Sequence, residues 1–165
     1  MAKMLQVGDK APVFQLPDQD GKTFDMANVL GKTALVLYFY PKSFTSGCTL
    51  EAKEFRDMHE EFQKEGALVI GVSGDDVETQ KRFKEEHQLP FTLLSDEGGK
   101  VRDLYGAFGM AHTAGRVTFV IDKEGVVRFV LSSQLEPKKH VHEGLRIIRE
   151  INAGKVAQAP AMANA

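Results

Sequence analysis

The 165-residue sequence holds one cysteine and no tryptophan, and no apolar run in it approaches the roughly 18 residues of a membrane helix. A single cysteine excludes an internal disulfide, a CxxC dithiol and any zinc or iron–sulfur centre built from several thiolates of this chain. Whatever chemistry that thiol performs, it performs without an internal partner. Charge is also nearly balanced, with 21 basic against 23 acidic residues and a formal net charge of −2. Neither nucleic acid nor an anionic membrane surface is therefore an expected partner. The first residues contain no apolar stretch of signal-peptide length. The expected compartment is the cytoplasm, where reducing conditions keep a lone thiol free.

What is present is the make-up of a soluble globular protein, 42% hydrophobic and 27% charged, of a length that fits one domain. The expected domain is 1–154, with the alanine-rich segment 155–165 as a disordered tail. The longest apolar run, Ala34 to Tyr40, has no polar alternation and reads as a central strand buried on both faces. Ala67–Val72 and Val117–Ile121 read alike. From Thr49 to Glu65, the residues Ala52, Phe55, Met58 and Phe62 recur at helical spacing, which predicts an amphipathic helix joining two parallel strands. Asp75 and Glu78 resemble an N-cap and its partner for a helix over 77–87. Phe91–Leu94 reads as a short strand followed by a turn through Gly99. Val117–Ile121 and Val126–Leu131 flank a Gly-containing loop and predict an antiparallel hairpin. Pro137 opens a last helix whose apolar face carries Val141, Leu145, Ile148 and Ile151. With a small hairpin of Phe14–Leu16 and Phe24 in front, the order describes an α/β fold. It is a thioredoxin-like three-layer α/β/α sandwich with a central mixed sheet and an N-terminal hairpin.

Chemistry concentrates where the central strand ends. Pro41-Lys-Ser-Phe-Thr-Ser-Gly-Cys48 lies beyond the carboxyl edge of that strand, the place where open α/β sheets bind ligands. Cys48 falls at a helix start, where first-turn N–H groups and the helix dipole favour the nucleophilic thiolate. A lone cysteine is often a small core hydrophobe, but the polar, Gly-containing turn in front of Cys48 argues against a core position. The histidines at 59, 87, 112, 140 and 142 read as solvated or incidental; 140 and 142 are two apart and face away from each other, so they do not share a metal. No metal or other cofactor is expected. The Gly-rich stretch from Gly106 to Gly115 matches no phosphate-cradling pattern.

Phe39-Tyr-Pro-Lys-Ser-Phe-Thr-Ser-Gly-Cys-Thr-Leu-Glu-Ala-Lys-Glu-Phe-Arg56 resembles the active-site segment of peroxiredoxins, with its Pro-x3-Thr-x2-Cys pattern. Its details are similar to the bacterioferritin comigratory protein, or Q-type, branch of the AhpC/TSA superfamily. Val7–Gly21, Phe91–Asp96 and Arg116–Asp122 are similar to other family segments, so the resemblance runs from about residue 5 to 153. It implies a thiol-dependent peroxidase of hydrogen peroxide and organic hydroperoxides, serving antioxidant defence and redox homeostasis. Cys48 would be the peroxidatic nucleophile, Thr45 and the amides of Gly47 and Cys48 would contact the peroxide, Arg116 would supply a cation, and Pro41 would shield the sulfur. Tyr40 and Phe44 would add apolar walls. Taken alone, Thr45 is equally a helix cap, Arg116 a solvated strand-start residue, Pro41 a turn residue, and Glu51 either a capping carboxylate or a contact behind the site.

The sequence departs from that branch at three places. Lys53 stands where many members carry a resolving cysteine, and Ser43 and Ser46 stand where Asp and Pro are common. The implied cycle is of one-Cys type, reduced by an external thiol such as thioredoxin, glutaredoxin or a low-molecular-weight thiol, and open to over-oxidation when that thiol is slow. A monomer or weak homodimer is expected. The alternative reading is a redox-sensing or chaperone-like binding protein on the same fold. A disulfide reductase is disfavoured for want of a second thiol.

Overall fold

The computed structural model describes residues 3–109, 111 and 113–154, so His112 and the segment 155–165 lie outside the described residues. The elements run β1 (Gln15–Pro17), β2 (Thr23–Asp25), β3 (Ala34–Phe39), α1 (Ser46–Asp57), α2 (His59–Lys64), β4 (Ala67–Ser73), α3 (Val77–Glu86), β5 (Thr92–Ser95), α4 (Lys100–Tyr105), β6 (Val117–Ile121), β7 (Val127–Ser132) and α5 (Pro137–Asn152). β1 and β2 pair as a hairpin, and the other five strands form one sheet in the order β5-β4-β3-β6-β7. β3, β4 and β5 run parallel, while β6 and β7 are antiparallel to their neighbours. This is the mixed sheet and the thioredoxin-like sandwich expected from the pattern.

All six residues of β3 are buried, and the two-residue period of a strand divides them between two cores. Val36 and Tyr38, with Tyr40 just beyond the strand, face a core shared with Phe55, Phe62, Phe83, Val141 and Ile148 of the helices. Leu35, Leu37 and Phe39 face the other, with Phe14, Tyr105 and Phe119. Tyr38 stacks on Phe55 with ring centroids 4.4 Å apart. Each such fully buried aromatic contributes roughly 2–3 kcal/mol by area removed from water. The effect on function is positional, because β3 is held from both sides and its carboxyl end is a rigid platform.

Four local expectations change. The helix predicted from Thr49 starts at Ser46 and breaks at Met58, whose φ of −99° and ψ of 4° end α1 and start α2. The break turns Phe62 back onto the sheet beside Phe55, at 5.7 Å between rings. The cap of α3 is Asp76, which accepts the Thr79 N–H at 2.8 Å, and not Asp75. α4 was hidden behind turn-like glycines; Asp96 accepts the N–H groups of Val101 and Arg102 at 3.0 and 2.8 Å and so starts that helix. His140 is fully buried instead of solvated, because it shares the inward face of α5 with Gly144 and Ile147.

Candidate active site

The site assembles at the carboxyl end of β3, where loop 40–45 enters α1. Thr45 holds the N-cap position with an extended φ/ψ of −87° and 157°. The first intrahelical bond runs from Thr49 N–H to Thr45 C=O at 2.9 Å, so the amides of Gly47 and Cys48 precede it and belong to the group of donors a helix leaves open at its start. The Thr45 hydroxyl caps nothing. It donates to Lys42 C=O at 2.7 Å, which leaves its lone pairs free to accept the O–H of a hydroperoxide.

Cys48 is buried, 1% exposed, against the expectation that its polar turn keeps it out of the core. The turn stays at the rim while the sulfur points inward from the first turn of α1, among Tyr38 and Ala52 of the helix-side core. Arg116, expected at the surface unless the resemblance held, is also buried, 6% exposed. Its Nη1 donates to Glu51 Oε1 at 2.6 Å and its Nε to Gln134 C=O at 3.1 Å. Burial opposes the guanidinium charge, but Glu51 and Cys48 outweigh it and hold the group above its ordinary value. A fixed cation therefore lies beside the first turn of α1, held in a fork geometry that a lysine would not reproduce.

Glu51 is thus the contact behind the site and not a cap. It is fully buried, and burial pushes its carboxyl up to about 8 although Arg116 pulls the other way. Its Oε2 has no hydrogen-bond partner. Gly47 lies under the guanidinium, since a Cβ at this position would stand 2.8 Å from Arg116 Nη2. Gly47→Ala is therefore expected to push Arg116 off the thiol and to slow peroxide reduction by about ten- to a hundredfold. Thermal unfolding should change little, because Gly47 has ordinary helical backbone geometry. Stopped-flow oxidation of the variant beside a melting curve checks both halves.

Residues that no motif marked hold the loop. Asp75 Oδ2 accepts the Ser43 N–H at 2.7 Å and the Ser73 hydroxyl at 2.6 Å. Gln80, buried on α3, accepts from the Tyr40 and Ser43 hydroxyls, each at 2.9 Å, and donates to Ser73 Oγ and Leu94 C=O. Tyr40 is thus a buried strut as well as a wall, and burial keeps its phenol protonated. Arg102 donates to the carbonyls of Tyr40, Ala107 and Gly115 at 2.7 to 2.8 Å. It ties the residue before Pro41 to the residue before Arg116. Pro41 itself is half-buried. Phe44 lies 42% exposed, at a left-handed φ of 68°, with its ring on Phe83 and under Arg82 of α3. The one available signal for Gln80 was a polar residue three positions from both Val77 and Phe83, on the apolar side of its helix. Among the described residues no group of three His, Cys, Asp or Glu side chains is arranged to hold a metal.

Comparison with known proteins agrees with this geometry. Residues 7–130 match the AhpC/TSA family. A chloroplastic peroxiredoxin Q of Triticum aestivum is 49% identical over 148 residues, covering 87% of this chain and 67% of the relative. The crystal structure of peroxidoxin BcpB from Mycobacterium tuberculosis superposes with a TM-score of 0.83 at 36% identity, covering 89% of this chain and 98% of that one. A bacterioferritin comigratory protein of Xanthomonas campestris, described for its alkyl peroxide reduction activity, gives 0.77 at 27% identity over 84% and 92%.

Proposed function

We propose, from the premise that the chain belongs to the AhpC/TSA family, that Cys48 is the peroxidatic nucleophile of a one-Cys cycle completed by an external thiol. The enzyme is a peroxiredoxin, a thiol-dependent peroxidase. The observation that carries the residue assignment is the placement of Arg116 over the open first turn of α1, where a Cβ on Gly47 would stand 2.8 Å from its Nη2, with Thr45 and Cys48 on either side of Gly47.

The steps follow from the charges. The Cys48 thiolate attacks the terminal oxygen of a hydroperoxide, an S–O bond forms and the O–O bond breaks. Sulfur loses two electrons, the terminal oxygen stays on it with its proton as a sulfenic acid, and the departing alkoxide or hydroxide takes a proton from solvent to leave as alcohol or water. Negative charge moves from sulfur to the distal oxygen, and donors fixed near both positions lower the barrier. Arg116 and the amides of Gly47 and Cys48 are those donors, and Thr45 orients the peroxide by accepting its O–H. Pro41 closes the loop beside the sulfur. A first external thiol then displaces water from the sulfenic acid to give a mixed disulfide, and a second thiol releases Cys48. Thioredoxin, glutaredoxin or a small thiol all fit that requirement, and organic hydroperoxides as well as hydrogen peroxide fit the substrate role, as the activity described for the Xanthomonas relative supports. A monomer or weak homodimer and a cytoplasmic location complete the proposal; the unpaired thiol supports a reducing compartment.

The test is thiol dependence. Mixing with excess peroxide should place oxygen on Cys48 by mass spectrometry, with catalysis stopping after one equivalent until a thiol is added. Sustained turnover without added thiol, or oxygen absent from Cys48, would overturn the assignment.

A further inference from the structure

His140 lies outside the chemistry described above, and its imidazole is fully buried with both nitrogens engaged. Nε2 stands 2.8 Å from Ser133 C=O, which only accepts, so Nε2 carries the proton. Nδ1 is then the acceptor for the Thr118 hydroxyl at 2.7 Å. The two residues that follow β7 lead back to the site. Ser133 donates its N–H to Arg116 C=O at 3.1 Å, and Gln134 C=O receives Arg116 Nε. One segment thus grips Arg116 by main chain and by side chain, and His140 holds that segment onto α5. On its other side, Nδ1 faces the unpartnered Oε2 of Glu51 at 3.9 Å.

We propose that His140 is a positioning residue for peroxide reduction: its imidazole fixes the Ser133–Gln134 segment that aims Arg116 at Cys48, and leaves Glu51 to pair with that arginine alone. The proposal rests on the assignment of Cys48 and Arg116 above. The groups facing the ring are Glu51 from α1, Arg116 and Thr118 from the β6 side, Ser133 after β7, and Glu136 and Lys139 at the start of α5. Burial, aided by Arg116 and Lys139 and opposed by the Ser133 bond and Glu136, lowers the imidazole to about 4. It stays neutral through the working range. A protonated ring would set a second cation against Glu51 and compete with Arg116 for it.

The test compares His140→Leu with His140→Gln, whose amide N–H can still meet Ser133 C=O. The readout is stopped-flow oxidation of Cys48, with unfolding temperatures measured alongside. His140→Leu is expected to slow oxidation by about ten- to a hundredfold, and His140→Gln, which keeps the Ser133 bond, to recover most of the rate. A wild-type rate in a folded His140→Leu protein overturns the proposal, and so does equal slowing in both variants, which is the mark of core packing alone. Thr118→Val frees Nδ1 while keeping the Ser133 bond and is expected to oxidise near the wild-type rate. If His140→Leu does not fold, a slowing of about tenfold or more in either variant that keeps the Ser133 bond overturns the proposal. Failure of the underlying assignment looks different, as wild-type protein whose Cys48 gains no oxygen.

Discussion

Cys48→Ser is expected to reduce peroxide consumption to the level of buffer plus thiol, with a melting curve near that of the wild type. The substitution changes one atom in a packed position next to Tyr38 and Ala52, so the core keeps its shape. What is lost is nucleophilicity. A thiol is deprotonated readily beside a fixed cation, whereas a serine hydroxyl attacks only with an adjacent general base. Among the described residues no such base is hydrogen-bonded to this position: Glu51 is paired with Arg116, and the His140 imidazole accepts a bond from Thr118. Coupled consumption assays with each candidate thiol measure the result. Turnover surviving in the serine variant would move the nucleophile elsewhere and sink the site as drawn.

Arg116→Ala is expected to lose both rate and stability, and the two losses should separate by pH. Removing one aimed donor from a developing charge costs about a hundred- to a thousandfold in rate. The variant also leaves Glu51 buried without its cation, and breaking a buried ion pair from one side costs about 3–5 kcal/mol once the remaining group is ionised. Because burial raises the folded-state carboxyl toward 8 from its ordinary 4.5, the folded protein binds more protons than the unfolded chain between those values. Stability therefore falls as pH rises through that window. Without Arg116 the window extends upward, so the deficit against wild type should grow toward alkaline pH. Adding Glu51→Gln should remove that pH dependence without restoring the rate. Denaturant titrations at several pH values, run beside peroxide kinetics, decide it; a deficit that shrinks with rising pH contradicts the buried-carboxyl account.

The apolar runs at Ala34, Ala67 and Val117 were legible because a strand buried on two faces has no polar alternation to blur it, and they carried with them the central place of β3 and its parallel pairing with β4. The proposed nucleophile was legible because Pro41, Thr45 and Cys48 are close in sequence and the pattern is local. Arg116 was legible only through resemblance, since a strand-start arginine looks solvated until its carboxylate partner 65 residues away is known. The supporting polar residues escaped for the same reason. Gln80, Arg102 and His140 take their roles from partners on other elements, and a polar side chain on an apolar face signals burial without naming what satisfies it. The short α4 escaped because flanking glycines read as punctuation, while its start depends on a carboxylate outside the helix.

The near-complete enclosure of Cys48 has a temporal consequence. In the proposed cycle a hydroperoxide is only a few atoms across, whereas a protein thiol needs the first turn of α1 to open locally before it can meet the sulfur. The waiting time in the oxidised form is then expected to follow how often that turn opens, with the Ser43, Asp75 and Gln80 clasp on the preceding loop holding it shut. Loosening the clasp is expected to trade speed of peroxide attack for speed of rescue. Tightening it is expected to leave the sulfur longer within reach of a second oxidant, so that a sturdier fold makes a more easily inactivated enzyme.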